Sequence, residues 1–133
     1  MATNAAIIAD ALRLLGVLTE TQTLSAEQGA DGLVTLNDLL EEWSEHGIEV
    51  GYFAQSSPAD EFPCGPTLNA PVKFNLAVHL APQYGTPVRP EVGARAETYY
   101  RRLLTQAVYD RMTEQDMTHL PGGARSYDID TGR

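Results

Sequence analysis

"SAEQGADGLVTLNDLLEEWSEHG", Ser25 to Gly47, is the stretch on which the fold turns. Leu33, Leu36, Leu40 and Trp43 recur at i, i+3, i+7 and i+10, and Leu39 widens the stripe. That spacing puts them on one face of a helix. Ser25 with Gln28 three residues on predicts a capping box, in which each residue satisfies a free amide of the other. Gly47 predicts the stop, because glycine tolerates the left-handed conformation. Glu41, Glu42 and Glu45 fall largely off the stripe. The predicted helix, Ala26 to His46, spans ~30 Å at 1.5 Å per residue. Trp43 reads as its core anchor. Gly29 and Gly32 sit in the first two turns, where glycine costs helix stability. Close approach of another backbone explains them, and so does simple tolerance.

An amphipathic helix must bury its stripe against something, and the flanking sequence supplies further helices. "TNAAIIADALRLLG" puts Ile8, Ala11, Leu12 and Leu15 on one face, with Thr3 or Asn4 as cap and Gly16 as stop. "NAPVKFNLAVHLAPQYG" reads as a third helix, capped by Asn69, with Pro71 in its first turn and a face of Leu76, Ala77, Leu80 and Tyr84. Pro82 should kink or end it. "RPEVGARAETYYRRLLTQAVYDRM" reads as a fourth, with Val92, Ala96, Tyr99, Leu103 and Ala107 on one face and Tyr100, Leu104 and Val108 broadening it.

Residues 49–68 carry Pro58, Pro63 and Pro66 and no helical period. They predict a long loop, with a short extended piece at Val50–Ala54. The fold class is therefore all-α: a small bundle of about four helices, with a long loop between the second and third. The helical body is expected over residues 1–119. "LPGGARSYDIDTGR" then leaves it. Tyr127 and Ile129 alternate with Asp128 and Asp130, a period of two that reads as a strand. With no other convincing strand nearby, this tail (residues 120–133) either pairs with nothing or finds its partner in another chain.

The 133 residues make one ordinary domain. The single cysteine, Cys64, excludes an internal disulfide and fits a reducing compartment. No apolar run approaches the ~20 residues of a membrane span, and the N-terminus does not look like a signal peptide. The chain reads as a soluble protein made inside the cell. Its net charge of −9 is uneven. Residues 1–62 hold eleven acids and one base; residues 63–133 hold seven acids and eight bases. Such a balance disfavours a grip on nucleic acid. An acidic half that meets a basic surface and a merely solvated acidic surface both fit.

No catalytic constellation stands out. His46, His79 and His119 are far apart, and metal-ligand spacings such as H-E-x-x-H are absent. Cys64 lies in "FPCGP" with no base marked for it, so a packed or exposed thiol is the better reading. Glu42 and Glu45 could serve as a glycosidase pair, but in a chain with eighteen acids such pairs arise by chance. His79 reads as a hydrogen-bonded core or interface histidine. No cofactor site is expected.

"LNDLLEEW" followed by Gly47, "NLAVHLAPQYG" (Asn75–Gly85) and the tail "LPGGARSYDIDTG" occur in this order. In this the chain resembles the head-to-tail connector (adaptor) proteins of tailed bacteriophages, in the branch of tail accessory factors or packaged-DNA stabilisation proteins. The resemblance covers most of the chain. It implies a virion protein of the neck, made in the bacterial cytoplasm. About twelve copies would form a ring under the portal protein, extend the DNA channel, help retain packaged DNA and carry a downstream tail or neck protein. DNA would pass without specific binding, and no membrane is involved.

The C-terminal tail would be the portal-docking segment, with Leu120, Arg125, Tyr127 and Ile129 as its site residues. Arg95, Arg101 and Arg102 would face acids of a neighbouring copy. Some family members are credited with peptidoglycan hydrolysis, which nothing in these residues supports independently. Two other readings are a small acidic regulator of one basic partner, such as a DNA mimic or inhibitor, and, more remotely, a peptidoglycan-cleaving glycosidase.

Overall fold

A computed structural model gives the fold of residues 2–119, with side chains described for residues 2–113. The tail residues Leu120, Arg125, Tyr127 and Ile129 lie outside the described residues. The element order is α1 (Asn4–Leu15), α2 (Ala26–Glu45), a single 3-10 turn (Pro66–Leu68), α3 (Asn69–Tyr84) and α4 (Pro90–His119). The molecule is an all-α bundle. Among the described residues the only β pairing is one isolated antiparallel bridge, Thr3 to Glu61. α3 is the hub: α1, α2 and α4 all pack on it, and α1 also packs on α2.

The predicted caps account for the first two helices. Thr3 Oγ1 accepts from the Ala6 amide, and Gly16 closes α1 at φ 79°. Ser25 and Gln28 form the capping box. α2 ends at Glu45, one residue earlier than expected, with His46 as its cap and Gly47 at φ 87° beyond it. Leu33, Leu36, Leu39, Leu40 and Trp43 are all buried, against Ile7, Ile8, Leu12 and Leu15 of α1 and Val72, Leu76 and Leu80 of α3.

Gly32 has a reason in packing. A Cβ there would run into Cγ2 of Ile8, so the close neighbour is a side chain rather than another backbone. Gly29 sits in ordinary contact distance of Leu24 and Pro58 and shows no such constraint.

One alternative is decided and two local expectations are corrected. Asn4 does not cap α1; its side chain is fully buried, and Nδ2 donates to Gln55 Oε1 at 2.9 Å and to the Ser57 carbonyl at 3.2 Å. Asn69 does not cap α3, because the Pro66–Leu68 turn runs straight into the helix and leaves Asn69 in helical conformation. No strand forms at Val50–Ala54. Pro82 falls in the last turn of α3, where it removes the amide that would bond the Val78 carbonyl, and the helix ends two residues later, with Gly85 beyond it in the left-handed region.

The 49–68 loop is built into the body. It supplies carbonyls for amides at the start of α1: Asn4 N–H donates to Asp60 at 2.9 Å and Ala5 N–H to Pro58 at 2.8 Å. These amides have no partner inside their own helix. Asn37 of α2 then grips the loop at Gln55. Its Nδ2 donates to the Gln55 carbonyl and its Oδ1 accepts from the Gln55 amide, both at 3.0 Å. Val50, Phe62 and Cys64 complete the attachment by entering the core.

α4 behaves differently. Val92 and Ala96 are buried, and Asn75 Nδ2 ties α3 to α4 through the Ala96 carbonyl at 3.1 Å. Tyr100 reaches Trp43 and His46. Beyond it, Leu103, Leu104 and Ala107 are only partly covered and Val108 is exposed. The helix continues well past Met112, the last residue of the expected element, to His119. Tyr100 and Leu104 pack partly buried against the core as expected, whereas Val108 does not.

Candidate functional site

The chemistry-bearing side chains are dispersed. Cys64 is buried, and burial pushes its thiol up to about 11, so almost none is thiolate near neutral pH. His46 Nδ1 lies 2.8 Å from the Tyr100 hydroxyl, on the surface. His79 is half-exposed rather than in the core, with Nδ1 2.9 Å from the Asn75 carbonyl and Nε2 4.0 Å from Glu42. Glu42 and Glu45 face solvent on α2. Among the described residues no three histidine, cysteine or acidic side chains group as metal ligands. Nor, among them, is any helix long and apolar enough to cross a membrane.

The distinctive surfaces are two helix faces. The first is the outer face of α2, where Glu27, Asp31, Val34, Asp38, Glu41 and Glu45 are all exposed. Val34, at 62% exposure, is the one large apolar side chain among carboxylates. Phe53, 66% exposed, belongs to the loop segment that Asn37 holds against this helix. Tyr52 is on the same segment; partial burial and the nearby Glu41 and Asp38 carboxylates raise its pKa.

The second surface is the outer face of α4. Arg95 places its guanidinium 5.8 Å from the centre of the Phe74 ring, a cation–π distance. Arg101 pairs with Glu97, one turn earlier, at 2.6 Å, and both are largely exposed. Arg102 is exposed beside them. The three arginines thus lie along one helix, though Arg101 already has a partner within its own chain. Farther along, Val108, Tyr109 and Met112 are 43%, 59% and 60% exposed. A solvated helix face is ordinarily polar, and clustered apolar exposure marks a surface made for a partner.

Sequence reasoning found the arginines and missed the apolar end. A signal was present: from Val92 to Val108 the apolar positions of this helix sweep an arc of roughly 200° at 100° per residue. One neighbouring helix cannot cover so wide an arc. Asn37 was missed as well, and nothing in its sequence surroundings distinguishes it.

Against this geometry stand the comparisons with known proteins. The sequence model of the family described as P22 tail accessory factor matches residues 1–130. No curated protein matches the chain.

Proposed function

Because the chain belongs to the family of P22 tail accessory factors, a structural family of the phage tail, we propose that it is the ring-forming adaptor between portal and tail. About twelve copies bind the portal protein, extend the DNA channel, help retain packaged DNA and carry the next tail or neck component. The observation that carries this reading is the family match over residues 1–130. The charge distribution supports it: an acidic first half and the arginines of α4, Arg95, Arg101 and Arg102, suit a ring in which each patch meets a different patch on the next copy. In the same reading, acids that line the channel keep DNA from sticking as it passes.

Within this proposal residues 120–133 are the portal attachment. Tyr127 and Ile129 enter apolar pockets as alternate residues of an added strand, Arg125 contributes charge, and Leu120 begins the hinge. Arg95, Arg101 and Arg102 face acids of the adjacent copy. Mass measurement of the protein alone and on its portal is the direct test. A monomer or small oligomer alone, and a closed ring of about twelve on the portal, is the expected result. A different copy number on the portal overturns the stoichiometry. Deletion of residues 120–133 should leave the helical body folded and abolish portal attachment; full attachment after deletion overturns the docking role.

A further inference from the structure

Two exposed seams run along different helices with the same spacing. On α2 it is Glu27, Asp31, Val34, Asp38, Glu41, Glu45; on α4 it is Ala94, Thr98, Arg101, Thr105, Val108, Met112. Both follow a 4-3-4-3-4 step, and every one of these residues is exposed. That step is the one with which helices pack at shallow angles, ridges of one in the grooves of the other. Five of the six α2 residues are acids, whereas α4 offers arginine toward its N-terminus and apolar side chains toward its C-terminus. The two helices touch each other through Trp43, His46 and Tyr100, so their outer faces are separate surfaces. A heterologous contact between copies requires two such surfaces.

We infer that the outer seam of α4 in one copy packs antiparallel on the outer seam of α2 in the next, with Val108 opposite Val34. The inference rests on the ring reading above and adds its surfaces and register. The rise of 1.5 Å per residue decides the direction. Arg101 lies seven residues before Val108, and Glu41 seven residues after Val34, so an antiparallel pair sets them side by side at ~10.5 Å from the apolar centre. Met112 falls beside exposed Ala30. In the parallel sense Arg101 would meet Glu27, but Met112 would meet Asp38. Both registers pair Arg101 with an acid, but only the antiparallel one sets Met112 opposite Ala30 rather than a carboxylate. The Arg101–Glu97 pair is no obstacle, because exposed pairs contribute little and exchange partners readily.

Cysteine cross-linking in the full chain tests this, since the one native cysteine is buried. The double variant Val34→Cys with Val108→Cys should give a disulfide-linked ladder of copies when oxidised on the portal. Glu41→Cys with Arg101→Cys should do the same, and Glu27→Cys with Arg101→Cys should not. Because all these positions are exposed, the variants should keep the parental circular dichroism spectrum. Met112→Asp with Val108→Asp should cut ring formation at least tenfold, with the spectrum again unchanged. A ring of parental copy number without the Val34–Val108 link overturns the inference and leaves the ring reading standing. A Glu27–Arg101 link overturns the antiparallel register. Parental protein that forms no ring on the portal overturns both the ring reading and the inference.

Discussion

The 49–68 loop and the outer half of α4 invert the usual relation between regularity and integration. The loop has no repeating backbone structure apart from one 3-10 turn, yet Val50, Gln55, Phe62 and Cys64 are buried and its carbonyls complete the start of α1. The outer half of α4 is unbroken helix, yet Val108, Tyr109 and Met112 stand in solvent. A helix satisfies its own backbone and can extend past its neighbours without leaving amides and carbonyls unpaired. A loop must find partners for its amides and carbonyls, and here it finds them on the body. What looks irregular is therefore structural, and what looks regular is left uncovered.

Truncation in the two regions should separate them most sharply. Phe62→Ala removes a buried ring from the loop and should cost about 3–5 kcal/mol of stability in urea denaturation. A loss below about 1 kcal/mol would mean that the loop is not part of the core.

Asn37→Ala should cost about 1–3 kcal/mol by the same measurement, because it strips both backbone partners from Gln55. The loss should come with faster proteolysis within residues 49–68. Unchanged stability would show that the loop is held by its apolar residues alone.

Cys64 offers a smaller, pH-dependent effect. Burial raises the folded thiol from its ordinary value near 9 to about 11, so the unfolded chain loses this proton first. Stability from this group is complete below pH 9 and declines as pH rises toward 11. The parent should lose more stability across that interval than Cys64→Ala, and native Cys64 should react slowly with a thiol reagent until the chain is unfolded. Equal pH profiles would contradict the burial.

On α4 the expected stability effect nearly vanishes. Met112→Ser should change stability by no more than about 0.5 kcal/mol, since the side chain is 60% exposed. A loss approaching that of Phe62→Ala would erase the contrast between the two regions.

Much of the body is legible in local pattern. The stripe of α2, the Ser25–Gln28 box, Thr3 at the start of α1 and the stops at Gly16 and Gly85 each depend on residues a few positions apart. Asn69 misleads for the same reason: it has the chemistry of a cap, but Pro66 had already turned the chain into helix. For His79 the apolar segment does not say which of its sides faces a neighbour: the ring is hydrogen-bonded, as expected, but lies half-exposed rather than in the core. Of the candidate site, the arginines could be read from charge alone, whereas the apolar outer face of α4 could not be told from more core.

By itself the sequence determined the number and type of helices, the face that α2 buries and the family. Amphipathic periodicity and capping are short-range, so they survive without knowledge of the neighbours. Only the tertiary structure decided that Asn4 and Asn37 meet at Gln55, that Gly32 makes room for Ile8, and that the apolar arc of α4 outruns its cover. Contacts between residues 4, 37 and 55 depend on which helices are brought together, and exposure depends on where the neighbouring helices end. Neither quantity is a property of any local stretch of chain.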